Sequence, residues 1–356
     1  MAKNDDLERH EHSIDRIASQ ILNEHIYPSL EMAYKAARLI VLDIGDNATP
    51  AQVRNATQKI TKSTDKILGS AWDTASNALL DFAVYENAFQ CAIIEKYGDY
   101  ITRKTSKEAI QKYIDKTLMT MHSGERINSS VWSDWVASGV NSFRESYSGT
   151  IISLYQRGAT VNETISALRS STNGILKNES EALARTGLSH FANQAREAMA
   201  NDNADIIKFR KFSAVFDNRT TLGCRVLDGT VYKINDENYV RLPRHFRCRS
   251  LYLYLTDKDE KSPRKQAVSG KNIEPNGNRK LIYRGKKDQD IFNTKPIDGE
   301  ISQDIWLRSQ PEWFIKSALG EKRAKLFIDK GFTINKFTDM QGSPITLDEL
   351  KKLDGR

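Results

Sequence analysis

The spacing of apolar residues changes near residue 205, and this change limits the fold more than any other feature of the sequence. Residues 10–205 carry apolar side chains at helical spacing, beginning with Ile14 and Ile17 on one face. Between residues 201 and 255 apolar and polar residues alternate, which is typical of short strands. The sequence therefore predicts an α+β chain, mostly helical at first, then built from short antiparallel strands, and helical again at its end.

Capping and turn residues indicate where individual elements begin. Capping boxes predict helix starts at Thr49, Thr105 and Thr160, because a side chain three residues later can satisfy the first backbone amide groups. A hairpin-type turn is predicted at Asp228-Gly229. The strands expected around this turn lie at residues 212–216, 230–234 and 251–255.

Composition and periodicity together divide the chain into four regions. We expect a helical docking region at residues 1–150, a strand-containing module at 151–256, a polar linker at 257–300 and a small helical segment at 301–356. The linker is predicted because its residues are rich in Lys, Asp, Asn, Gly and Pro and have no sustained apolar periodicity.

The amino terminus and the cysteines indicate the compartment. Residues 1–12 are charged throughout, so no signal peptide is expected, and no apolar run is long enough to span a membrane. The three cysteines, Cys91, Cys224 and Cys248, are too few for a disulfide framework. We therefore expect a protein with reduced thiols that is made in the cytoplasm.

Most of the positive charge lies in one segment. The chain has a formal net charge of +7, and residues 208–249 alone hold ten basic and four acidic residues. Such a segment can contact nucleic-acid phosphates, or its arginines can form a solvated face and internal ion pairs. Alternating arginines around His245 would lie on one face if that segment is extended. The candidate DNA contacts are Lys208, Arg210, Lys211, Arg244, Arg247 and Arg249.

Two segments also bring together residues that bind metals. Cys224, His245 and Cys248 could provide three ligands for zinc, with Asp217 or Asp228 as a conceivable fourth. The alternative, which we favour, is that both cysteines are buried core thiols and that His245 is a hydrogen-bonding strut. We accordingly expect no cofactor.

The order of motifs in this part of the chain resembles the phage head morphogenesis family of Mu F-like minor head proteins. Its pattern is a helix with Arg-Thr, then Asp-x-Arg-Thr, a cysteine, Leu-Asp-Gly, and finally Pro-x-His-x-x-Cys-Arg. The residues that match it are Arg185, Thr186, Asp217, Arg219, Thr220, Cys224, Leu227, Asp228, Gly229, Pro243, His245, Cys248 and Arg249. The chain departs from many relatives at Thr221 and Ser250, where they carry further cysteines.

The resemblance implies a virion protein rather than an enzyme. It implies a minor capsid protein of the phage head that associates with the portal, capsid or scaffold proteins and with packaged double-stranded DNA, and that assists assembly or genome ejection. One alternative is a metal-dependent nuclease or toxin-like enzyme centred on Asp217, His245 and Cys248. Another is a transient assembly factor with no DNA role.

Overall fold

The computed structural model of the chain describes residues 14, 16–123, 126–257, 271–273, 279–281, 301–339, 342–346 and 348–350. As the sequence predicts, helices dominate the first 205 residues and a small antiparallel sheet follows them. The helices of the first part are α1 (Tyr27–Ile44), α2 (Pro50–Gly98), α3 (Lys107–Lys116), α4 (Trp132–Gln156), α5 (Val161–Ser171) and α6 (Lys177–Asp202). Two π-helical turns, Leu22–Ile26 and Thr172–Leu176, immediately precede α1 and α6.

Capping side chains define where these helices begin. Thr49 and Thr160 form the predicted capping boxes at the starts of α2 and α5. The third helix begins one residue later than predicted, because Ser106 rather than Thr105 caps α3. Thr105 instead donates a hydrogen bond to Asp202 at 2.6 Å and so connects the start of α3 to the end of α6.

The long helix α2 lies at the centre of the helical part, and α1, α4 and α6 pack against it. One apolar core extends from Ala18 to Ala198 and includes Trp72, Trp132 and Phe191, whose rings meet edge to face. Because α4 and the core both continue through residue 150, no element ends at the boundary predicted there between the docking region and the module.

A β-hairpin interrupts the helices, and the prediction of continuous helix was wrong at this point. Strands β1 (Met119–Ser123) and β2 (Arg126–Ser130) pair antiparallel, with Met119 opposite Ser130. Met119 and Met121 are buried, whereas most other residues of the pair are small and polar. Two apolar side chains are too few to make a clear alternating pattern in the sequence.

The sheet of the module has the order β4-β3-β5, with β3 (Ile207–Ser213) between β4 (Val231–Lys233) and β5 (Leu251–Thr256). β4 and β5 match the predicted strands, whereas β3 begins five residues earlier than predicted. Phe212 and Tyr252 are direct cross-strand partners, so their side chains lie on the same face. That face covers a core to which the end of α2 also contributes.

The predicted hairpin turn at Asp228-Gly229 has a different role. It joins β4 to a short helix, α7 (Leu222–Leu227), rather than to another strand. Asp228 accepts a hydrogen bond from the backbone nitrogen of Ala214 at 2.8 Å, and Gly229 has a positive φ of 83°. The Asp-Gly pair therefore turns the chain as expected, but residues 214–227, which include the helix α7, separate it from β3 because the backbone leaves the sheet after Ser213.

The remaining elements lie after residue 256. Strands β6 (Lys271–Ile273) and β7 (Arg279–Leu281) pair antiparallel inside the predicted linker, most of which lies outside the described residues. Helices α8 (Gln303–Arg308), α9 (Glu312–Leu319) and α10 (Glu321–Asp329) form a third apolar core around Phe216 of the module. Among the described residues, no helix has both the length and the apolar character that a membrane span requires.

Candidate functional site

The candidate site forms where α7 contacts the loop at residues 243–249. This loop leads into strand β5. Cys224 is the third residue of α7, and its Sγ is 3.3 Å from Nε2 of His245 in the loop. The ligand atoms of Cys224, His245 and Cys248 all lie within 4.8 Å of one another. The fold therefore brings together the three residues that the sequence singled out as a metal set or buried thiols.

Local backbone contacts give the loop its shape. The Leu242-Pro243 peptide bond is cis, and Arg247 has a positive φ of 59°. The backbone nitrogen of Cys248 donates to the carbonyl of His245 at 3.1 Å, which closes a tight turn. This turn directs the side chains of His245 and Cys248 toward Cys224.

The two thiols have different environments. A hydrogen bond with Cys248 and burial raise the pKa of Cys224 well above its usual value. The hydrogen bond from Cys224 lowers the pKa of Cys248 well below its usual value against the effect of burial, and the charge of His245 lowers it further. Burial lowers the pKa of His245, but the negative charge of Cys248 and the hydrogen bonds with Cys248 and with the Phe246 carbonyl together outweigh burial, so the pKa is raised overall. Cys248 is therefore the more acidic thiol of the pair.

A buried ion pair lies next to this cluster and connects the two segments of the site. Asp217, which is fully buried, accepts two hydrogen bonds from Arg249 at 2.6 and 2.9 Å. The carboxylate also accepts from the backbone nitrogen of Thr220 at 2.9 Å and lies 3.5 Å from Arg219. Burial raises the pKa of Asp217, but Arg249, Arg219 and Arg225 together lower it to about 2. Asp217 is therefore a permanent anion that holds Arg249.

These contacts also bear on the conceivable fourth metal ligand. Because Asp217 is occupied by Arg249 and Thr220, and Asp228 by Ala214, neither carboxylate joins Cys224 as a fourth metal ligand among the described residues.

Helix α6 supports the loop through the predicted Arg-Thr motif. Thr186 is fully buried, and its Oγ1 accepts a hydrogen bond from the backbone nitrogen of Arg247 at 2.9 Å. The Arg247 guanidinium donates to Asn178 on the same helix. Arg185 lies outside the cluster and pairs with Glu181, one turn away, at 2.9 Å.

Three of the six candidate DNA contacts are held inside the protein, so the structure does not present the six as one continuous face. Arg210 is 1% exposed, pairs with Glu197 at 3.0 Å and stacks on the ring of Tyr239. Arg244 is 5% exposed, and Arg249 is committed to Asp217. The loop is a turn rather than an extended strand, so its arginines do not share one face. The candidate DNA contacts that reach the surface are Lys208, Lys211 and Arg247.

The site contains further residues that no sequence pattern predicts. Arg225, which is buried in α7, donates to the carbonyl of Asp217 and to Gln303 of α8, and burial lowers its pKa to about 10. Phe246 packs edge to face against Trp135 of α4, with ring centres 5.5 Å apart. Gln303 lies far from Arg225 in the sequence and Trp135 far from Phe246, and no local pattern marks these contacts.

One comparison with known proteins yields a match. Residues 150–253 match the family model described as Phage Mu protein F like protein. The matched segment includes α5, α6, the sheet strand β3, and both halves of the cluster described above. No curated protein and no solved structure matches the chain.

Proposed function

We propose that this chain, which carries a Mu F-like head morphogenesis module at residues 150–253, is a minor protein of the phage head that binds the portal vertex and the packaged DNA. What carries the proposal is the convergence of the motif residues: Thr186, Asp217, Cys224, His245 and Arg249 come from separate segments and meet at one site. The motif residues that this chain shares with the family thus lie together in one compact module.

The protein acts in this proposal as a structural part of the virion. It is made in the host cytoplasm, enters the head in few copies, and assists assembly or genome ejection without catalysing a reaction. The commitment of Asp217 to Arg249 supports a structural role, because this ion pair holds the pKa of the carboxyl group at about 2, far below that of an efficient general base at neutral pH.

The helical region is proposed to dock on the portal through α1. Met32, Leu39 and Leu42 of this helix are 51%, 63% and 44% exposed. Three large apolar side chains on the surface of one helix are unfavourable in water and are typical of a binding surface.

The docking is tested by co-purifying the portal protein with the full chain. We expect Met32→Lys/Leu39→Lys to abolish capture of the portal protein while leaving the unfolding midpoint unchanged. Ile305→Lys on α8 is the matched control, because Ile305 is also 63% exposed but lies in the carboxy-terminal part. Equal capture of the portal protein by the wild type, the double variant and the control would refute docking through α1.

DNA contact is proposed for three cations of the module that reach the surface, Lys208, Lys211 and Arg247. Binding through phosphates releases counterions, so its affinity should fall steeply with salt. For Lys208→Gln/Lys211→Gln we expect the slope of log affinity against log salt to decrease by roughly one for each phosphate that the variant no longer neutralises. The control is Lys322→Gln/Lys325→Gln, which removes the same charge from the exposed surface of α10.

Two results would limit the proposal. If the full chain does not bind DNA, or binds it independently of salt, the DNA role is lost and the portal role remains. If the protein is present in procapsids but absent from mature heads, it is a transient assembly factor rather than a virion component. Metal-dependent DNA cleavage that disappears in His245→Ala would instead favour the nuclease.

A further inference from the structure

We propose that Cys224, His245 and Cys248 bind one Zn²⁺ ion with a water molecule as the fourth ligand, and that the metal holds the loop at residues 243–249 against α7. The role is structural, and it does not depend on the function proposed above.

The spacing of the donor atoms fits a tetrahedral ion. With Zn–S bonds of about 2.3 Å and a Zn–N bond of about 2.0 Å, ligand atoms at tetrahedral angles lie roughly 3.5–3.8 Å apart. Cys224 Sγ and His245 Nε2 are 3.3 Å apart, and all three donor atoms lie within 4.8 Å of one another. The observed separations therefore differ from the tetrahedral ones by at most about 1.3 Å, so a modest adjustment of the side chains would seat the ion.

The imidazole of His245 is oriented as a metal-binding histidine is. Its Nδ1 lies 2.9 Å from the carbonyl oxygen of Phe246, an acceptor only, so Nδ1 must carry the proton. In the neutral imidazole, the form that binds a metal, Nε2 then carries the lone pair and faces Cys224. Metal-binding histidines commonly donate their other ring N–H to a backbone carbonyl in this way.

The charge and surroundings of the cluster also fit zinc. Cys224 and Cys248 are 1% and 3% exposed, and two thiolates with one Zn²⁺ are neutral overall, which limits the cost of burial. Asp217 already balances the nearby Arg249, so the arginine does not compete for a thiolate. Soft sulfur ligands together with imidazole select zinc over magnesium or calcium.

A small cavity provides room for the fourth ligand. It has a volume of about 10 Å³ and is lined by Cys224, His245, Ser250 and Arg249 among others. This is close to the space that one water molecule requires. The Ser250 side chain also interacts with Cys224, so a donor atom placed at residue 250 would reach the same ion.

The experiment measures metal content and the cobalt spectrum of the full-length protein. After dialysis, we expect one zinc per chain in the wild type, and substitution by Co²⁺ should produce the thiolate charge-transfer bands of a tetrahedral site. We expect Cys248→Ser to lose the zinc. Cys91→Ser is the matched control, because Cys91 is a buried cysteine outside the cluster, and this variant should keep the zinc.

A second variant tests the fourth position and does not depend on the stability of Cys248→Ser. Ser250→Cys should add a third thiolate, so it should intensify the cobalt charge-transfer band and bind zinc more tightly than the wild type. The proposal is overturned if the folded wild type takes up no metal, if Cys91→Ser loses zinc as Cys248→Ser does, or if Ser250→Cys leaves the cobalt spectrum unchanged. A disulfide between Cys224 and Cys248 in the purified protein would also overturn it.

Discussion

At the scale of single residues, the ion pair between Asp217 and Arg249 connects the two segments of the site. Removing one partner of a buried pair leaves a charge without compensation. Arg249→Met should therefore lower the free energy of unfolding by about 3 kcal/mol, the lower part of the usual range, because Arg219 and Arg225 remain near the carboxylate. The change is measured from the midpoint of urea unfolding.

Arg219→Met is the matched control for this prediction. Arg219 also faces Asp217, but it is half exposed and lies 3.5 Å away without a hydrogen bond between the side chains. Arg219→Met should lower the free energy of unfolding by less than about 1 kcal/mol, as is usual for exposed ion pairs. Equal effects of the two substitutions would mean that the direct hydrogen bonds of Arg249 do not hold the site together.

A second residue, His190 of α6, should make the stability of the protein depend on pH. It is fully buried near Ile114, and burial lowers its pKa from 6.5 to about 4. Between these pH values the unfolded chain binds a proton that the folded protein does not, so stability is lost as the pH falls. The loss should approach roughly 3 kcal/mol near pH 4.

His190→Leu tests this effect, because leucine fills a similar volume and does not titrate. The difference in unfolding free energy between variant and wild type should grow in favour of the variant as the pH decreases from 7 to 4. Parallel pH profiles for the two proteins would contradict the prediction.

Sequence predicted some residues of the site and missed others for a physical reason. Cys224, His245 and Cys248 carry distinctive chemistry at short spacing, so their convergence could be expected. The burial of Arg210 could not be predicted from the sequence. An arginine is buried only when charged partners lie close to it, and its partner Glu197 belongs to another element. Whether a basic segment faces solvent depends on the tertiary fold.

At the scale of elements, α6 positions the loop through one hydroxyl group. Thr186 accepts a hydrogen bond from Arg247 and donates one to the carbonyl of Ala182. Thr186→Val keeps the shape but leaves the buried amide of Arg247 without its acceptor, so it should cost about 1–3 kcal/mol. Amide hydrogen exchange at residues 244–249 should also become faster.

Thr164→Val provides the comparison within the same fold. Thr164 is equally buried and donates to the carbonyl one turn earlier, Thr160, but no hydrogen bond from another segment to its hydroxyl is found in the described structure. This variant should leave exchange in the loop unchanged. Faster exchange in both variants would indicate a general loosening of the helices rather than the loss of one support.

Elements with strong local signals were predictable, and those with weak signals were not. The capping boxes at Thr49 and Thr160 correctly predicted two helix starts because the interacting groups lie three residues apart. The β1–β2 hairpin was missed because only Met119 and Met121 turn inward. It matters for the site, since the backbone nitrogen of His122 donates to the carbonyl of Arg244 at 2.8 Å and so supports the loop.

At the scale of the whole molecule, the helical region and the strand-containing module share buried contacts. The ion pair of Glu86 and Arg196, at 2.6 Å, is buried between α2 and α6, and Asn87 donates to the carbonyl of Ala195. The sheet core also includes Cys91 of α2. The helical region therefore forms part of the support of the module, and sequence composition could not show this because it does not record contacts between distant segments.

The carboxy-terminal part closes on the module through a close approach of two glycines. A Cβ atom on Gly342 would lie 2.6 Å from Arg244 and 3.0 Å from the carbonyl oxygen of Gly223. Because the Arg244 side chain is buried and the Gly223 carbonyl is part of the backbone, Gly342→Ala should loosen the packing of the carboxy-terminal segment against α7 and make the apolar core around Phe216 more accessible. Limited proteolysis should then cleave within residues 301–339 faster than in the wild type.

Gly331→Ala separates this effect from backbone strain alone. Gly331 has a similar positive φ, 67° against 75° for Gly342, but a Cβ there would have no atom within 4 Å. Both substitutions place alanine in the left-handed region and should cost about 1–2 kcal/mol for that reason. Only Gly342→Ala adds the collision with Arg244, so it alone should accelerate cleavage beyond what its strain explains. If the two variants are cleaved at the same rate, the segment is not held against α7 at this point, and Arg244 must be buried by other contacts.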